Sequence, residues 1–136
     1  MRLLLDTHAF LWFVDGSPRL PIPIRGLIED PANHACVCIS SFWEIGIKAG
    51  LGKLPLTTSL LGLEAIAASQ SIEVLPITVL AIDHVQHLPY HHKDPFDRIL
   101  VATAITTGSI LLSADPIFDS YGVSRQRAAL QGRSRH

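Results

Sequence analysis

The chain has 136 residues, 48% of them hydrophobic and 17% charged, a composition that builds one buried core and excludes a disordered chain. Its formal net charge of −1 argues, at face value, against a strongly basic nucleic-acid binder. That charge is unevenly placed: residues 1–123 hold seven Lys and Arg against twelve acids, and residues 124–136 hold four Arg and no acid. An acidic body of −5 with a +4 tail is either a solvated acidic surface or a fold whose acids share a site that needs a cation.

Leu3–Leu5 reads as a first buried strand, closed by Asp6. Asp6 and His8 interrupt the apolar stretch that a signal peptide needs. No later run reaches the roughly 18 apolar residues of a membrane helix, so no membrane contact and a cytoplasmic location are expected. Helices are predicted at Thr7–Val14 and Ile24–Glu29. Ala35–Ile39 reads as a second strand carrying Cys36 and Cys38 on one face, where a bridge between them would be strained and two buried thiols fit a reducing compartment. A Cys-x-Cys zinc half-site would need a second half that the sequence does not offer.

Helices follow at Phe42–Ala49, with Gly50 as its C-cap, and at Leu60–Ser69. Ile72–Leu75 is a third strand, Val79–His87 and Pro95–Thr107 are helices, and Ile110–Leu112 is a fourth strand. Alternating strands and helices predict an α/β fold with a mainly parallel sheet. One domain is expected over residues 1–123, with an Arg-rich, flexible tail at 124–136.

Asp6 follows the first strand, Glu44 is placed in the first turn of the helix after the second, and Asp115 follows the fourth. In a parallel sheet these positions share one edge, where ligands bind. Asp97 falls in the first turn of the long helix. Capping offers a rival reading for most of these acids. Ser41-Phe-Trp-Glu44 fits a capping box, and Asp94-Pro95 and Asp115-Pro116 fit an N-cap followed by proline. Asp97 suits the positive end of a helix dipole. Capping does not account for Asp6. Converging carboxylates repel one another unless a cation is present, and oxygen-only donors select Mg²⁺ or Mn²⁺. One or two such ions can activate water for attack at phosphorus, the chemistry of a nuclease or phosphatase.

The stretches Leu-Leu-Leu-Asp-Thr-His at 3–8, Ser-Phe-Trp-Glu-Ile-Gly-Ile-Lys at 41–48, His-His-Lys-Asp-Pro-Phe-Asp-Arg-Ile-Leu-Val-Ala-Thr-Ala at 91–104 and Leu-Leu-Ser-Ala-Asp at 111–115 together resemble the PIN-domain ribonucleases, and within them the VapC-like toxins of toxin–antitoxin pairs. The resemblance implies a three-layer α/β/α fold and RNA cleavage dependent on Mg²⁺ or Mn²⁺, leaving a 5′-phosphate and a 3′-hydroxyl. It also implies homodimers and inhibition by a small antitoxin protein. It assigns Asp6, Glu44, Asp97 and Asp115 to the metal site, as ligands or, for Glu44, as general base, with Asp94 as a cap or outer-shell group.

Other residues are secondary candidates. Thr7 and Ser113 can hold a water or orient Asp6 or Asp115. Arg98 and Lys48 can meet RNA phosphates, and Arg98 can equally pair with Asp94 along the helix. Trp12 and Trp43 read as core or dimer packing rather than base-stacking surfaces. The rival functions are a non-catalytic PIN-like module that binds RNA or protein, a housekeeping PIN nuclease without antitoxin, and an aspartyl-phosphate phosphatase. The last needs a second acid where His8 stands.

Overall fold

The structure is a computed structural model that describes residues 1–89, 94–114 and the backbone of 125–127. In chain order the elements are β1 (Arg2–Leu5), α1 (Thr7–Asp15), α2 (Ile22–Glu29), β2 (His34–Cys38), α3 (Ile39–Gly50), α4 (Leu60–Ser69), β3 (Glu73–Leu75), α5 (Val79–His87), α6 (Pro95–Thr107), β4 (Ile110–Ser113) and β5 (Arg125–Arg127). The sheet order is β3-β2-β1-β4-β5, and every pairing is parallel.

The strands are apolar on both faces because helices cover both faces. Leu3, Leu5, Val37 and Leu112 point to one side, where they pack with Phe10, Phe42, Ile45, Leu63 and Ala67 of α1, α3 and α4. Leu4, Cys36, Cys38 and Leu111 point to the other, against Leu100, Val101 and Ala104 of α6. Ala81 of α5 packs on Ile99 and Ala102 of α6. The result is the three-layer α/β/α architecture. Cys36 and Cys38 are buried free thiols, and burial pushes the Cys36 thiol up to about 11. None of the described helices is long and apolar enough to cross a membrane.

Two elements depart from the sequence expectations, α3 at both of its ends. α3 starts at Ile39 rather than Phe42, directly after Cys38, with no side-chain cap. The helix therefore carries straight on from β2 without a loop, and Ser41 lies inside it. At its other end Gly50 is still helical, and the residue with left-handed backbone is Gly52 (φ 71°). Finally, Arg125–Arg127, counted above in a flexible tail, pair with Leu111–Ser113 as an edge strand. Strand pairing uses backbone groups, so an Arg-rich composition did not signal it.

Candidate functional site

Parallel register gathers the ends of β1, β2 and β4 along one edge, with Leu5 beside both Val37 and Leu112. Asp6 extends the ladder by one bond, its N–H donating to the Leu112 carbonyl at 3.1 Å. It is then the N-cap of α1, its carboxylate accepting from the Ala9 N–H at 2.8 Å. Strand end and helix start are thus one residue, and its side chain is buried. Burial raises the Asp6 pKa above the usual carboxylate value, and the Glu44 charge adds to this. Hydrogen bonds from Ser113 and Ala9 and the nearby His8 pull the other way. Ser113 thus shares a hydrogen bond with the Asp6 carboxylate.

Glu44 lies in the second turn of α3 and takes no part in a capping box. The box reading fails because the helix begins at Ile39, well before Ser41. Instead the Thr7 hydroxyl sits 2.7 Å from Glu44 Oε1 and 3.0 Å from Ser41 Oγ. One hydroxyl carries one proton. With that proton on the carboxylate, Ser41 supplies the proton of the second contact. Thr7 thus orients Glu44 rather than Asp6. On the other side, Lys48 Nζ lies 2.6 Å from Glu44 Oε2, one helical turn further along α3. This contact raises the Lys48 pKa, and the charges of Asp94 and Asp97 raise it further.

The acids of α6 act on Lys48 through their charge. Asp94 is the N-cap predicted for it, its Oδ1 accepting from the Phe96 N–H at 2.8 Å, with Pro95 as first helical residue. Asp97 stands in the first turn. Arg98 has a role the sequence did not suggest. Its guanidinium is buried and donates to the carbonyls of Val85, Leu88 and Pro89 at 2.7–3.1 Å. It pins the end of α5 and the segment leading to α6.

Trp43 and Phe96, each next to a site acid, meet edge to face at 5.3 Å between centroids and join α3 to α6. Trp43 is 62% exposed, which leaves dimer packing of the two roles expected for it, whereas Trp12 does pack on the core. The Thr7–Glu44 and Trp43–Phe96 contacts had no signal in the sequence beyond the shared sheet edge.

Asp6 and Glu44 are therefore brought together, and Asp94 and Asp97 reach them electrostatically through Lys48. Among the described residues no three of His, Cys, Asp and Glu stand close enough to hold a metal ion by themselves. Asp115, like His91, His92 and Lys93, lies outside the described residues.

The sequence profile of the PIN domain matches residues 3–123. No curated protein matches the chain. Among solved structures it is similar to VapBC2 from Rickettsia felis bound to a DNA fragment of its promoter, with 14% identity, a TM-score of 0.70, and 92% of this chain and 97% of that one covered. It is also similar to VapBC-1 from nontypeable Haemophilus influenzae, with 17% identity, a TM-score of 0.65 and coverages of 93% and 97%. FitAcB from Neisseria gonorrhoeae aligns at 16% identity with a TM-score of 0.54 and coverages of 90% and 95%. At these identities the likeness is one of fold.

Proposed function

The chain belongs to the PIN domain family, and on that premise we propose that it is a metal-dependent endoribonuclease and the toxin of a toxin–antitoxin pair. The observation that carries this reading is the pair of buried carboxylates, Asp6 and Glu44, at the edge where three parallel strands end. Asp97 is the third acid, and Asp115 the fourth by its place in the sequence.

A divalent cation fits this donor set. Every candidate donor is a carboxylate oxygen, which selects Mg²⁺ or Mn²⁺ over softer ions. The Asp6 carboxylate is shielded from water and next to a second negative group, an arrangement that a cation relieves. One or two bound ions would supply Lewis acidity at the phosphorus oxygens and a more acidic water.

The protein's own groups then have separate tasks. Ser113 and the Ala9 N–H fix the Asp6 carboxylate. Thr7, steadied by Ser41, fixes one oxygen of Glu44. That leaves Glu44 as a ligand or as the base that takes the proton of the attacking water. Arg98 holds the start of α6 and with it Asp97. Its buried hydrogen bonds to carbonyls support a positioning role over a phosphate contact.

The partners in this reading are RNA, a small antitoxin and a second copy of the chain. The VapBC and FitAcB folds support the antitoxin. An apolar groove of about 310 Å³ between α3, α5 and α6, lined by Trp43, Ile82 and Phe96 among others, supports a protein partner.

The test is cleavage of structured RNA with EDTA, with Mn²⁺ restored, and with Asp97→Asn. Activity lost in EDTA, regained with Mn²⁺ and absent in the variant is expected. Metal-independent cleavage, or full activity in Asp97→Asn, overturns the reading. Co-expression with the product of a short adjacent open reading frame tests the toxin role.

A further inference from the structure

Glu44 has both carboxylate oxygens occupied: Oε1 by the Thr7 hydroxyl and Oε2 by the Lys48 ammonium. The two occupants differ. Thr7 is buried between strand end and helix start, while the Lys48 side chain is 42% exposed. Lys48 reaches Glu44 on a flexible four-carbon stem from the last turn of α3. Its ammonium also lies in the field of Asp94 and Asp97. Lys48 thus pairs with the same carboxylate that a divalent ion in this site would need.

We infer that Lys48 is an exchangeable counterion of the metal site and a metal-gated contact for the RNA backbone. In the metal-free protein the ammonium neutralises Glu44. A divalent ion held by Glu44 would carry the same sign of charge as Lys48, so the ammonium would leave its carboxylate oxygen. The released ammonium stays at the solvent-facing mouth of the site, where it takes a phosphate oxygen of RNA. This rests on the metal-dependent nuclease reading and adds an order of events: the phosphate contact becomes available only once the metal is in place. A plain structural ion pair would behave differently, since its removal would weaken or leave unchanged the affinity for metal.

The experiment uses the full chain as wild type, Lys48→Gln and Lys48→Arg, with Mn²⁺ titrated calorimetrically in the absence of RNA. Lys48→Gln removes the competitor, so Mn²⁺ binds about 2- to 5-fold more tightly, the range set by a half-exposed ion pair. Lys48→Arg keeps the charge and stays near wild type. Thermal unfolding gives a second readout: Lys48→Gln lowers Tm in EDTA, because Glu44 loses its partner, and gains more from Mn²⁺ than wild type does. With RNA and Mn²⁺, Lys48→Gln raises KM and reduces the salt dependence of log(kcat/KM) by about one unit. In EDTA, RNA binding of wild type and Lys48→Gln is equal.

Equal or weaker Mn²⁺ binding by Lys48→Gln overturns the inference and leaves the nuclease reading intact. So does a loss of RNA affinity that is as large in EDTA as in Mn²⁺. Absence of Mn²⁺ binding in wild type and variant alike overturns both.

Discussion

Asp6 and Asp97 both stand at the start of a helix, yet the two helices are held in different ways. Asp6 is locked by main chain: its N–H belongs to the sheet ladder and its carboxylate caps the next helix. Moving it means unpairing β1. Asp97 belongs to a helix that no strand directly precedes, and among the described residues its entrance is held by side chains, with Arg98 bonded to three carbonyls and Phe96 against Trp43. An acid held by the backbone tolerates changes around it. An acid held through side-chain contacts is less tolerant. The α6 side of the site is therefore the more fragile to substitution.

Arg98→Met tests this most severely. It leaves three carbonyls without their donor in a buried setting, and a loss of about 3 kcal/mol or more in denaturant unfolding is expected. RNA cleavage should fall with it, and Arg98→Lys should recover only part of both. Wild-type stability in Arg98→Met would show that α6 is anchored elsewhere and erase the contrast.

On the strand side, Thr7→Val removes the hydroxyl from Glu44 while keeping shape and volume. A hydrogen bond to a charged group is worth about 1.5–3 kcal/mol, so unfolding measurements should show a loss near 2 kcal/mol in the metal-free protein. Added Mn²⁺ should restore part of it if the ion takes over the abandoned oxygen. Between the two sides, Trp43→Ala breaks the edge-to-face pair with Phe96. Because Trp43 is largely exposed, about 1 kcal/mol is expected, with a lowered cleavage rate as the sign that α3 and α6 have lost their relative placement.

Asp6→Asn is the smallest change and the one upward shift. Asparagine keeps the cap to Ala9 and removes a buried charge. The folded-state pKa of Asp6 is raised, so the folded protein binds this proton more tightly than the unfolded chain does. Stability from this group is therefore present at low pH and lost as pH rises from the ordinary carboxylate value through the raised one. In EDTA at neutral pH, Asp6→Asn should melt slightly above wild type, and the gap should close on acidification. A gap that is constant with pH would mean the Asp6 charge is not the cause. Mn²⁺ should stabilise wild type and leave the variant behind.

Legibility in the sequence followed chemistry that is written locally. Asp94-Pro95 announces a helix start, so α6 runs where expected, and α4 and α5 also keep their expected bounds, with Ser59 and Thr78 as their caps. The placement of Asp6 and Glu44 on one edge followed from the parallel-sheet rule alone. Ser41 and Glu44, by contrast, imitate a cap so well that they hid the true start of α3, where Ile39 continues from an apolar strand with no polar signal. Arg98 was unreadable for a different reason. Its partners are carbonyl groups, which every residue has, so no sequence pattern marks them. The Thr7–Glu44 bond joins residues 37 positions apart and exists only once β1 and β2 are paired.

The junction between β2 and α3 also governs which changes in chain length the site can survive. With no loop between Cys38 and Ile39, the sheet sets the rotational phase of the helix directly. One inserted residue there would turn Glu44 by about 100° around the helix axis, away from Thr7, although every side chain of the site would still be present. Identity at positions 38 and 39 can therefore drift, but the count of residues from Val37 to Glu44 cannot. For chains this divergent, an ungapped alignment across that junction is a sharper mark of a shared site than any single residue within it.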